Sequence, residues 1–157
     1  MHLTYKHTLY ACYTGYITQA IVNNLAPLLF IVFQTQYGLN FEMVGRLILI
    51  NFGTQILADF LAVKVVDKIG YRASAVLAHI FSAVGLVLLG VLPQICPSPY
   101  AGLIIAVVIY ALGGGLLEVL VSPIVESLPG DEKASATSLL HSFYCWGHVG
   151  VVLLSTL

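Results

Sequence analysis

Residues 101–124 read AGLIIAVVIYALGGGLLEVLVSPI, an unbroken apolar run with one charged side chain, Glu118. A helix needs about 20 mostly apolar residues to cross roughly 30 Å of hydrocarbon. A barrel strand would be about ten residues long and would alternate in polarity. This run is twice that length and does not alternate, so it reads as a transmembrane helix.

Four more runs of the same kind flank it, at about 9–33, 42–63, 73–92 and 135–157. The connectors carry turn chemistry. Gln34 to Asn40 links the first two runs, and Lys64 to Arg72, with Gly70 inside it, links the second and third. Pro93, Pro97 and Pro99 are expected to break the chain before the fourth run, and Pro129 to Lys133 after it. Composition agrees. Of the 157 residues, 59% are hydrophobic and 8% charged, against about 25% charged in an ordinary soluble domain. Mean hydropathy is +0.97. A water-soluble enzyme, a disordered tail and a disulfide scaffold are excluded. A net charge of −1 without any basic run argues against nucleic-acid binding. The expected fold is an all-α membrane protein, a polytopic bundle of five helices.

Orientation follows from Lys and Arg. Lys6 precedes the first span, Lys64, Lys68 and Arg72 lie between the second and third, and Lys133 lies between the fourth and fifth. The positive-inside rule then places the N-terminus in the cytoplasm. The first six residues are polar and aromatic, and the run after them is too long for a signal-peptide core, so no secretory signal is expected. Cys12, Cys96 and Cys145 show no metal-ligand spacing, and neither a metal nor any other cofactor is expected. The run Gly113-Gly-Gly115 lacks the Lys-Ser/Thr ending of a phosphate loop and reads as a helix-packing surface.

Polar side chains inside hydrocarbon are costly and usually face a bundle interior or a wet cavity. Gln19 and Asn23 are spaced i, i+4, with Asn24 beside them and Pro27 a further turn on. Asn51, Gln55 and Asp59 repeat the spacing in the second span. Tyr110, Gly114, Glu118 and Ser122 form a stripe on the fourth, and His141, Cys145 and His148 on the fifth. Glu118 and His141 both fall roughly 10 Å below the inner interface by helical rise, where they can pair. Withdrawal from water favours the neutral form of a carboxylic acid, which makes Glu118 a candidate proton carrier. A structural hydrogen bond between helices is the plain alternative.

The turn Asp67-Lys-Ile-Gly-Tyr-Arg72 resembles the D-R-x-G-R-R loop of the major facilitator superfamily, with Asp67, Gly70 and Arg72 matching and Lys68 conservative. The preceding Gly of that pattern is Val63 here. The resemblance implies that these residues bias an inner gate between two halves. Asn23-Asn-Leu25, Gly45, Leu112 to Glu118, Ser122-Pro123, and Leu139 to Phe143 followed by Gly147 are similar to the fucose permease family, which comprises proton-coupled sugar importers. Where that family carries an Asp in the first span, this chain has Pro27. The resemblance implies a proton-coupling role for Glu118. It implies solute contacts from Gln19, Asn23, Asn24, Glu118 and His141, and a gating loop of Asp67, Lys68, Gly70 and Arg72.

Such transporters have two six-span halves with the substrate between them. The five spans then correspond to the first five of the N-terminal half, residues 1–157 being a partial N-terminal domain. The missing second half is expected in the intact protein. The expected function is proton-coupled uptake of a sugar or other small polar solute across the plasma or inner membrane, with the proton gradient as driving force and no enzymatic activity. An exporter of amphipathic compounds on the same fold and a non-transporting membrane subunit are the alternatives.

Overall fold

The computed structural model describes residues 4–129 and 133–157. Four continuous helical segments follow in order: α1 (Tyr5–Tyr37), α2 (Phe41–Ile95), α3 (Pro99–Ser127) and α4 (Lys133–Thr156). No strand occurs among the described residues. Three helices, α1, α2 and α3, are long and apolar enough to cross a membrane. α4 has 24 residues, about 36 Å of helix, but Ser and His side chains make it less apolar than the others. Of the expected connector between the fourth and fifth runs, Gly130, Asp131 and Glu132 lie outside the described residues.

Local chemistry sets the helix ends. Thr4 N donates to His7 Nδ1 across the first turn of α1 (3.3 Å). α1 ends where Gly38 takes a left-handed conformation, φ 65°, and its amide reaches the Gln34 carbonyl. A residue without Cβ makes that geometry cheap. Asn40 caps α2, its Oδ1 accepting from Met43 N at 2.8 Å. Pro99 opens α3, where a missing amide hydrogen leaves no helical bond unmade.

α2 is 55 residues long, about 80 Å if it were straight. It is not straight. Tyr100 at the start of α3 donates to the Met43 carbonyl (3.3 Å). A Cβ built on Gly102 would stand 2.7 Å from the Leu92 carbonyl. Met43 and Leu92 come from opposite ends of α2, yet both meet the same turn of α3. The reversal falls at Gly70, whose φ of 79° and ψ of 161° leave the helical region. The Ser74 hydroxyl donates to the Gly70 carbonyl at 2.9 Å and ties down the turn.

The sequence predicts five separate helices and a nine-residue connector from Lys64 to Arg72. The structure instead carries helix up to Gly70 on both sides and turns at a single residue. Pro93 does not break the chain either. It sits buried in the last turn of α2, and the break falls at residues 96–98. So near a helix end its missing donor removes one bond only.

α3 runs between both limbs of α2, and glycine sets the spacing. A Cβ at Gly85 would meet Tyr110 N at 2.3 Å, and one at Gly113 would meet the Ala78 carbonyl at 2.6 Å. At Gly115 it would meet Ala58 Cβ at 2.8 Å. Tyr110 is wholly buried in the cluster that includes Phe30, Leu47, Leu89 and Val107. It packs against α2 and does not continue the polar stripe expected on α3. On the other side of α3, Val121 and Val125 join Cys12, Tyr13, Tyr16 and Leu140.

Gly85→Ala must force α2 and α3 apart, and overpacking of this kind costs about 1–3 kcal/mol. A Cβ at Gly90 meets nothing within 4 Å. Gly90→Ala is therefore expected to stay within about 0.5 kcal/mol of the parent. Unfolding in detergent micelles, followed by loss of helical circular dichroism, compares the two.

Candidate functional site

Glu118 projects from α3 toward α1. Gln19 Nε2 donates to Glu118 Oε2 at 3.2 Å. Gln19 is only 2% exposed, and its Oε1 has no hydrogen-bond partner. One turn further along α3, Ser122 Oγ and Tyr16 OH are 2.9 Å apart. One turn along α1 in the other direction, Asn23 is held from two sides. Gln55 Nε2 of α2 donates to Asn23 Oδ1 at 2.7 Å, and Asn23 Nδ2 reaches Tyr144 OH of α4 at 3.5 Å. Pro27 has no amide hydrogen, so the Asn23 main-chain carbonyl also lacks its usual helical donor.

These side chains line a half-open cavity of about 190 Å³ formed by Tyr16, Gln19, Asn23, Glu118, His141 and Tyr144. The Tyr16 ring stands edge-on to His141 (centroids 5.5 Å) and to Tyr144 (6.2 Å). The site offers a carboxylate, a free amide oxygen, an imidazole and two phenols, with aromatic walls. Such a set suits a small solute carrying hydroxyl groups, since hydroxyls both donate and accept. A second carboxylate, Asp59 of α2, lies within electrostatic reach of Glu118. Its Oδ1 is buried without a hydrogen-bond partner.

The structure brings together Gln19, Asn23, Glu118 and His141, four of the five residues the sequence assigns to solute binding. Asn24 stands apart. Its Nδ2 donates to the Ala20 carbonyl of its own helix at 2.8 Å, and it does not line the cavity. Successive residues diverge by about 100° around a helix, so Asn23 and Asn24 cannot share a face. Glu118 and His141 share the cavity, but the hydrogen bond of Glu118 goes to Gln19. Tyr16 and Tyr144 are additional lining residues. Tyr16 precedes Gln19 by three positions, and Tyr144 follows His141 by three. Extending both polar stripes by one helical neighbour finds them.

The loop residues occupy another place. Asp67, Lys68, Gly70 and Arg72 are all exposed at the reversal of α2. Among the described residues the one ion pair is Arg46–Glu42, one turn apart on α2, so the charges of the loop do not pair with each other. His79 bonds the Ala75 carbonyl of its own helix, a packing arrangement. Among the described residues, no three His, Cys, Asp or Glu side chains gather as a metal site would require.

Residues 12–157 match the family model of the Major Facilitator Superfamily, and the chain belongs to that superfamily. The superfamily consists of secondary transporters, which agrees with a multi-pass helical membrane protein. No curated protein and no solved structure matches the chain.

The Gln55–Asn23 bond is the shortest of the cross-helix contacts in the site. Gln55→Leu leaves Asn23 Oδ1 without that donor and is expected to destabilise the fold by about 1 kcal/mol, the usual scale for polar contacts between membrane helices. Asn24→Ala breaks only a bond within α1 and is expected to cost less than about 0.5 kcal/mol. Denaturant titration of both variants in the same micelles tests the ranking.

Proposed function

We propose that the chain is the first part of a proton-coupled importer of a sugar or another small polar solute. The observation that carries the reading is the Glu118–Gln19 contact at the wall of a polar cavity shared by α1, α3 and α4. A carboxylate at membrane depth is a functional candidate by default. In this reading Glu118 takes up a proton from the outer side and releases it inside. Neutralisation weakens its hold on Gln19 and on the solute together. Gln19, Asn23 and His141 hydrogen-bond the solute, with Tyr16 and Tyr144 as flat walls for its carbon face. Asn24 lies beside the site and adds no contact.

The rest of the arrangement follows from the same reading. The two limbs of α2 are separate spans, so the chain crosses the membrane five times from a cytoplasmic N-terminus. It sits in the plasma or inner membrane. A second half completes the cavity and supplies the partners that the exposed Asp67, Lys68 and Arg72 lack among the described residues. Those residues then hold the inner gate, with Gly70 as its turning point. The proton gradient is the driving force.

Glu118→Gln in the full-length protein keeps a hydrogen-bonding side chain and removes the titratable one. It is expected to lower uphill uptake at least about tenfold, the scale of losing a positioned proton carrier, while exchange of solute for solute survives. Stimulation by an acidic exterior is expected to disappear. Uptake by the variant with the parent's pH response would overturn the role.

A further inference from the structure

Asp59 is not among the residues that line the cavity, yet it stands beside Glu118. Helix register puts it there. The first limb of α2 and α3 run side by side in the same direction. Tyr100 meets the Met43 carbonyl near the start of both, and further along a Cβ on Gly115 would meet Ala58 Cβ at 2.8 Å. A Cβ on Gly114 would stand 3.4 Å from Gln55 Nε2. One helical turn beyond Gln55 is Asp59, and one turn beyond Gly114 is Glu118. The two carboxylates therefore project from adjacent helices at one level, within electrostatic reach of each other.

Among the described residues neither carboxylate is ion-paired. α1 brings Tyr16 and Gln19 to the Glu118 side, and α4 brings His141 and Tyr144. On the second limb of α2, His79 is bonded to the Ala75 carbonyl of its own helix. Lys64, the nearest basic residue along α2, is exposed. Two negative charges side by side at membrane depth are costly. A single proton removes one of them. It also supplies a donor of the kind that Asp59 Oδ1, buried without a hydrogen-bond partner, lacks. Gln19 Nε2 holds Glu118 from the other side at 3.2 Å.

We propose that Asp59 and Glu118 share one proton, and that Asp59 is the group to which Glu118 passes it on the way to the inner side. The assignment rests on Glu118 being the proton carrier. The O–H bond on Glu118 breaks as one on Asp59 forms, the negative charge moves the opposite way, and no other reactant is consumed. Asp59, Val63 and Asp67 follow at i, i+4 and i+8 along the first limb of α2, and Val63 and Asp67 are exposed. That face leads to the reversal at Gly70. The proton therefore leaves along α2, while the solute occupies the cavity of α1, α3 and α4, and the two have separate paths.

The test needs no solute. Infrared difference spectra of the purified full-length protein, taken from alkaline to acid buffer, follow the protonated-carboxyl stretch. Bands missing from Asp59→Asn and from Glu118→Gln assign the two groups. In the parent the pair is expected to titrate in two steps. In either variant the remaining carboxyl is expected to titrate in one step, at least about one pH unit from the first parental step on acidification. After a jump back to alkaline buffer, Glu118 is expected to lose its proton at least about tenfold more slowly in Asp59→Asn, with the rate recovered in Asp59→Glu. A Glu118 band that titrates at the first parental step, in an Asp59→Asn protein of parental helix content, would overturn the sharing. Proton loss at the parental rate would overturn the transfer. Should Asp59→Asn fail to fold, an Asp59 band at the first parental step in Glu118→Gln overturns the proposal instead. The spectra stand apart from transport. Uptake by Glu118→Gln with the parent's pH response tells against proton coupling, whereas independent titration of the two carboxyls tells against the pair.

Discussion

The backbone of α3 touches the backbone of α2 through glycine. At Gly85, Gly102, Gly113 and Gly115 an added methyl would come within 2.3 to 2.8 Å of a neighbouring atom. Lipid is as apolar as the side chains it surrounds, so close van der Waals contact between small residues must replace hydrophobic attraction as the adhesive. Gly85 lies on the second limb of α2 and the other three on α3, where Gly115 meets Ala58 of the first limb and Gly102 and Gly113 meet Leu92 and Ala78 of the second. These contacts can form together only if α2 doubles back, and Gly70 supplies the positive φ that lets it. The seam also fixes the rotation of α3 about its axis. With Gly113 and Gly115 turned toward α2, Gly114, Glu118 and Ser122 face α1. A Cβ at Gly114 would stand 3.1 Å from Val22 and 3.6 Å from Asn23 Oδ1.

That rotation creates the polar site. Polar groups in hydrocarbon need partners, and most of those in the site find one on a neighbouring helix. Glu118 is matched by Gln19, Ser122 by Tyr16, and Asn23 by Gln55 and Tyr144. α4 is drawn in at Gly147, where a Cβ would lie 3.0 Å from Ala20 Cβ. The match is incomplete at Gln19 Oε1 and Asp59 Oδ1. A buried acceptor without a donor is expensive, and a solute hydroxyl is the kind of group that relieves it. The same contacts that hold the helices together therefore leave a demand that a ligand can meet.

Much of this was legible in the residues. Apolar runs of membrane length stand out because nothing in a soluble domain resembles residues 101–124. Polar residues spaced i, i+4 mark one face of a helix whatever surrounds it, so Gln19 with Asn23 and Gly114 with Glu118 were placed correctly on shared faces. Spacing does not say which partner a face will meet. Tyr110 fits the stripe of Glu118, yet it is wholly buried in the apolar cluster of Phe30, Leu47, Leu89 and Val107. Asn24 is chemically identical to Asn23, and only its rotation excludes it. Pro93 misleads because a residue that disfavours helix reads as a break, whereas in the last turn its missing donor costs one bond. At Gly70 the chain does turn, but helix runs up to it on both sides.

Water access to the Glu118 face measures the central claim most directly. In a background with Cys12, Cys96 and Cys145 replaced by Ser, a membrane-impermeant thiol reagent is applied to Glu118→Cys and to Val76→Cys. Val76 is 56% exposed, on the outward side of the second limb of α2. Its neighbours Ala75 and Ala78 pack at the level of Leu117 and Leu120, so the two positions are matched in depth. The account predicts rapid labelling at position 118, which faces a wet cavity, and protection at position 76, which faces lipid. Equal labelling of the two, or protection of both, would contradict it.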